Sequence, residues 1–108
     1  MSEVPLEEFK KLELRVAKVL DVQEMPGADK LWRLTIDVGS EKKDIVAGVK
    51  VMYSKESLMG RSIVVVNNLS PVTIRGVESR GMLLTAKNGS TLSLLTLDKE
   101  VPAGSVVG

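Results

Sequence analysis

Ile63-Val64-Val65-Val66 runs straight into Asn67-Asn68-Leu69-Ser70-Pro71-Val72-Thr73-Ile74-Arg75-Gly76-Val77-Glu78-Ser79-Arg80-Gly81-Met82. Four apolar, mostly β-branched residues in a row read as a buried strand. Beyond Val66 the chain reads as leaving the core and opening into a polar, arginine-bearing loop that ends in an exposed Ser79 and Met82. Upstream, Pro26-Gly27-Ala28-Asp29-Lys30-Leu31 lies between two strand-like segments and forms a second basic loop.

Working outward, alternation with period two dominates the chain. Val4 to Lys11 can make one or two helical turns, with Pro5 in the first turn and Leu6 and Phe9 on one side. Leu12, Leu14 and Val16 then alternate with Glu13 and Arg15. The parity falters at Ala17-Lys18 before Leu20 and Val22 resume, as in a long strand that bends or bulges to serve two sides of a barrel. Trp32, Leu34, Ile36 and Val38 alternate with Arg33, Thr35 and Asp37, a half-buried second strand. Gly39-Ser40-Glu41-Lys42 turns into a third strand, Asp44 to Val49. Tyr53 to Gly60 reads as a short helix closed by glycine, and Arg61 to Asn67 as the fourth strand. Met82 to Ala86 and Thr91 to Leu95 flank Asn88-Gly89, a strong hairpin signal.

The order of three strands, a short helix, a fourth strand and a closing hairpin predicts an all-β fold. It is that of an OB-fold Greek-key barrel with N- and C-terminal extensions, whose oligonucleotide-binding face lies on the second and third strands and adjoining loops.

The 108 residues amount to one domain, 1–108, long enough to bury a single core. No apolar run approaches the roughly 20 residues needed to cross a bilayer, and Glu3, Glu7 and Glu8 stand where a signal peptide needs positive charge. A soluble, cytoplasmic protein is expected. The chain contains no cysteine and no histidine. That removes disulfides, thiolate zinc sites and the side chains most easily tuned for catalysis near neutral pH. The acidic and basic clusters Glu7-Glu8, Glu41-Lys42-Lys43-Asp44 and Asp98-Lys99-Glu100 all lie in polar stretches. No catalytic residues, cofactor or metal are expected.

The net charge is only +1, but its distribution is uneven. Between residues 61 and 87, Arg61, Arg75, Arg80 and Lys87 face Glu78 alone, whereas the first 24 residues are on balance acidic. A basic face on a nearly neutral body fits a phosphate-binding patch.

Lys30 and Arg33 either hold phosphates or are a solubilising loop lysine and an outward strand arginine. In Arg75-Gly76 and Ser79-Arg80-Gly81-Met82, Gly76 and Gly81 permit backbone conformations closed to other residues, so the loop can present donors to a bulky ligand. The alternative is a plain connection with Gly81 a bulge and Met82 in the core. Asn67 is either a ligand-facing donor or a pin for the Ser70-Pro71 turn. Trp32 shares parity with Leu34 and Ile36 and belongs to a core or interface. With Phe9, Trp32 and Tyr53 as the only rings, aromatic stacking on single strands is poorly served. Shape and backbone recognition of a folded RNA is the better fit.

These loops resemble the signature of the tRNA-binding domain found at the C-terminus of many methionyl-tRNA synthetases, in stand-alone tRNA-binding proteins and in eukaryotic synthetase-complex relatives. Ala28-Asp29-Lys30-Leu31 matches one motif, and Arg75, Gly76, Ser79, Gly81 and Met82 meet every fixed position of Arg-Gly-x-x-Ser-x-Gly-Met. The chain departs from the family pattern at Ala47 (commonly serine), Arg80 (frequently glutamine) and Ala17 (usually glycine). The resemblance implies a non-catalytic module that binds the outer corner of tRNA and assists a methionyl-tRNA synthetase in cis or in trans. Lys30, Arg33, Asn67, Arg75, Ser79, Arg80 and Met82 are its expected tRNA-binding residues, with Asn68 holding the loop. It also implies a homodimer, whose interface is expected to draw on residues 92–108. An export chaperone of the same architecture, binding unfolded polypeptide, is the alternative.

Overall fold

The computed structural model describes residues 2–108. A short helix α1 (Leu6–Phe9) precedes β1 (Leu14–Glu24), β2 (Trp32–Asp37) and β3 (Lys42–Ala47). Helix α2 (Lys55–Leu58) then leads into β4 (Ser62–Val66), with β5 (Val72–Ile74), β6 (Val77–Ser79), β7 (Met82–Leu83), β8 (Thr85–Asn88), β9 (Thr91–Leu94) and β10 (Val106–Val107) after it. The main sheet runs β3-β2-β1-β4-β7, with β10 also paired to β1. It curls until its two ends meet, giving the OB-like barrel expected from the alternation.

The long β1 is shared between neighbours: its first half pairs with β4 and β10, its second half with β2. The register shift falls between Val19 and Asp21, so the bulge sits at Leu20 rather than at Ala17-Lys18. Ala17 is fully buried within an unbroken ladder to β4. The core is built from Val19, Val22, Leu34, Ile36, Ile45, Leu58, Ile63 and Val65, with Trp32 at its edge. Trp32 donates from Nε1 to the Tyr53 carbonyl at 2.8 Å, which satisfies its one polar atom, and the Lys50 ammonium lies over its ring. Ser54 caps α2 by accepting from the Ser57 amide.

Three elements depart from the sequence reading. The segment after β4 is not an open loop but the hairpin β5–β6, in register Val72↔Ser79, Thr73↔Glu78, Ile74↔Val77. Strand β3 begins at Lys42, two residues early, because Lys42 and Lys43 pair with Asp37 and Ile36. The last hairpin turns at Gly89-Ser90 rather than at Asn88-Gly89, since Asn88 pairs with Thr91. The C-terminal segment is moreover partly used within the chain: the Gly104 amide donates to the Val16 carbonyl at 2.7 Å, and Val107 pairs with Leu14.

Candidate nucleic-acid interface

Arg75 and Gly76 form the tip of β5–β6. Arg75 has φ of 49° and Gly76 of 79°, the pair of left-handed residues that a two-residue hairpin turn matched to strand twist requires. The strained arginine is thereby thrust outward at a fixed place. Ile74 and Val77 at the base of the tip pack with Leu31 onto Met25, Ala28 and Val46, a small apolar cluster separate from the main core. That cluster fastens the hairpin to the 25–31 loop.

As a result the two basic loops named from the sequence are one surface. Lys30 and Arg75 line a single depression of about 380 Å³ with Gly27, Ala28, Asp29 and Leu31. The Arg75 guanidinium lies 3.7 Å from where a Cβ on Gly27 would stand, an ordinary contact distance, and Gly27 has φ of 76°, so it is the turn that favours glycine there. Neither cation has a carboxylate within 4.0 Å among the described residues. Both are exposed and free to meet an anion.

The remaining candidates are placed differently. Ser79 is 6% exposed, not on the surface as its position in a polar run suggested. Its Oγ accepts from the Val46 amide at 2.9 Å and donates to the Gly81 carbonyl at 3.1 Å. With the Arg80 amide donating to the Asp44 carbonyl, these bonds seal β3 against the β6–β7 connection. Gly81, at φ of 144°, lies where an added Cβ would come within 3.0 Å of the Val66 carbonyl oxygen. Its role is closure, which a larger side chain would obstruct.

Arg33 does face outward from β2, but Asp44 holds it from Nε and Nη2 at 2.8 and 2.6 Å, while the same carboxylate accepts from the Thr35 hydroxyl. Arg80 is paired to Glu41 at 3.1 Å and lies 3.9 Å from Glu78. Met82 is exposed on β7, so it is not a core residue. Asn67 pins the N-terminal arm rather than the Ser70-Pro71 turn. Its amide and Nδ2 donate to the Glu13 carbonyl and carboxylate, leaving its buried Oδ1 without a partner. Asn68 completes the attachment, accepting from the Glu13 amide and donating to the Lys11 carbonyl. The hydrogen bonds from Asn67 and Arg15 hold the Glu13 carboxyl below its usual range.

Lys43, beside Arg33 and Arg80, is a residue that the sequence reading does not single out. It is 7% exposed and its ammonium donates to the Asn67 carbonyl at 2.9 Å. Burial pushes its pKa down, Arg80 adds to this, and Glu41 and Glu13 oppose it. A signal exists in the sequence: Lys43 has the parity of the inward Ile45 and Ala47, and it pairs across the ladder with buried Ile36.

The hairpin tip and the 25–31 loop thus present two exposed cations, Lys30 and Arg75, on one side of a small barrel. The family model described as "Putative tRNA binding domain" matches residues 14–106. The chain belongs to the tRNA-binding domain family. Of its relatives, a methionine–tRNA ligase of Thermotoga maritima is 50% identical over 104 residues, and one of Methanothrix thermoacetophila is 55% identical over 101. These alignments cover 96% and 94% of this tRNA-binding domain chain but 16% and 15% of the ligases. The chain thus spans about one-sixth of the length of the curated relatives it matches. Among solved structures, a MetRS related protein from Pyrococcus horikoshii superimposes with a TM-score of 0.94 at 33% identity, each chain fully covered. The chaperone CsaA of Bacillus anthracis gives 0.90 at 29% identity, covering 99% of this chain and 100% of its own. No helix among the described residues is long and apolar enough to cross a membrane.

Proposed function

We propose that the chain is a non-catalytic tRNA-binding module that recognises the outer corner of folded tRNA through phosphate and shape. It serves a methionyl-tRNA synthetase, in cis or in trans, in the cytoplasm. The observation that carries this reading is the shared depression of Lys30 and Arg75, two unpaired cations from loops far apart in sequence, locked together by their own apolar cluster. Fixed cations suit a ligand whose phosphates are themselves fixed. Met82 adds an exposed apolar contact, whereas Arg33, Asn67 and Ser79 hold the surface in shape, a narrower set of contacts than the sequence suggested.

A homodimer is part of the proposal, because a few contacts on one small domain gain from duplication about a two-fold axis. Phe9 and Leu12 in the N-terminal arm and Val101 and Val106 in the C-terminal segment are exposed apolar residues available to such an interface.

The likeness to CsaA supports a second reading, a chaperone-like dimer binding unfolded polypeptide. Competition decides between them. Folded tRNA should displace a labelled tRNA far better than single-stranded RNA of equal length does, and an unfolded polypeptide should not displace it at all. Displacement by the polypeptide alone would put the chaperone reading first.

A further inference from the structure

A second basic depression, of about 360 Å³, is lined by Arg33, Lys42, Lys43, Asp44, Glu78 and Arg80. Four cations on one concave surface have the composition of a phosphate site, yet most are occupied. Arg33 donates from Nε and Nη2 to the one Asp44 oxygen Oδ2 while Oδ1 accepts from Thr35, a half-buried pair that is a fixed part of the barrel. Lys43 is committed to the Asn67 carbonyl. Lys42 has no carboxylate within 4.0 Å among the described residues.

The Arg80 pairs are of another kind. Side chains of Arg80, Glu41 and Glu78 are 44%, 45% and 62% exposed, and an ion pair in that setting is screened and weak. A phosphodiester offers the same guanidinium a stronger, charge-assisted partner. The Arg80 backbone is meanwhile fixed by its bond to the Asp44 carbonyl, so the guanidinium can change partner without the chain moving. Lys43 feels the charges of both Glu41 and Arg80.

We propose that this depression is a phosphodiester-binding site kept partly masked by Glu41 and Glu78, which compete with an RNA phosphate for Arg80 while Lys42 stands ready. The inference rests on the RNA-binding reading above. The mask raises selectivity at the expense of affinity. A folded RNA anchored at Lys30 and Arg75 delivers its next phosphate at high effective concentration and displaces the carboxylates. A flexible strand does so less well.

The test titrates unfractionated tRNA and single-stranded RNA of similar length against four proteins, each checked for folding by thermal melting. These are the unsubstituted chain, Glu41→Gln/Glu78→Gln, the same pair with Arg80→Gln, and Glu7→Gln/Glu56→Gln as a control for net charge. The first double variant should bind tRNA about two- to five-fold tighter, with a salt slope steeper by about 0.7 to 0.9, and prefer tRNA over single strands less. Arg80→Gln should abolish the gain, and the control should show none. A gain that survives Arg80→Gln, or that the control reproduces, overturns the mask. So does a folded double variant that binds no tighter while the unsubstituted chain binds tRNA, a result that leaves the proposed function standing. If none of the four binds RNA, both fall.

Discussion

The Ser79 hydroxyl takes the Val46 amide at 2.9 Å and gives its proton to the Gly81 carbonyl at 3.1 Å, standing in for a rung of the ladder where the barrel closes. Ser79→Ala leaves a buried amide without a partner, which costs about 1–3 kcal/mol. The expected outcome is a lower urea midpoint with an unchanged m-value. Unaltered stability with weaker tRNA binding would return Ser79 to the contact surface.

Arg75 separates turn chemistry from charge. Its φ of 49° is one glycine adopts freely, so Arg75→Gly should change stability by less than about 1 kcal/mol while weakening tRNA binding. Loss of folding would mean that the arginine stem, and not its charge, holds the hairpin on the 25–31 loop.

Gly104 has φ of 89°, and a Cβ there would stand 2.8 Å from the Val38 carbonyl oxygen and 3.0 Å from the Gly39 Cα. Gly104→Ala should destabilise the protein by about 1–3 kcal/mol from backbone strain alone, with more from the clash. Thermal melting checks this. A wild-type melting temperature would show that the C-terminal segment is not fastened to the barrel here.

Lys43 and Glu13 set opposite ends of the pH profile. Burial lowers the folded pKa of Lys43, so between that value and the unfolded one the unfolded chain holds more protons, and stability gained from this residue rises with pH. Relative to Lys43→Met, the unsubstituted protein should gain stability as pH climbs toward 10.5, the ordinary lysine value. Glu13 has a lowered folded pKa through Asn67 and Arg15. Its contribution is complete above the ordinary carboxylate pKa and is lost as pH falls through the depressed one. Denaturant titrations across pH, compared with Lys43→Met and Glu13→Gln, report each slope separately.

The barrel was legible because its strands carry their periodicity openly: Trp32, Leu34 and Ile36 alternate without a break and are buried as read. The β5–β6 hairpin was hidden by polarity. Val72 and Thr73 are exposed, so no buried face marks the strand, and only Arg75-Gly76 between β-branched neighbours betrays the turn. Lys30 and Arg75 were legible as residues but not as neighbours, since their meeting depends on Met25, Ala28 and Val46 gathering under the hairpin. The roles of Ser79, Arg33 and Arg80 were obscured for a related reason. A polar side chain in a polar run reads as available, and only the folded chain reveals which partner has already claimed it.

The most direct measurement is the salt dependence of tRNA affinity, between about 50 and 200 mM, for the unsubstituted chain, Lys30→Ala, Arg75→Gly and the two combined. Each single change should weaken binding to all tRNAs alike and flatten the salt slope by about one unit, and the double by about two. An unchanged slope in the folded double variant, or a loss confined to one tRNA species, would contradict phosphate recognition at Lys30 and Arg75.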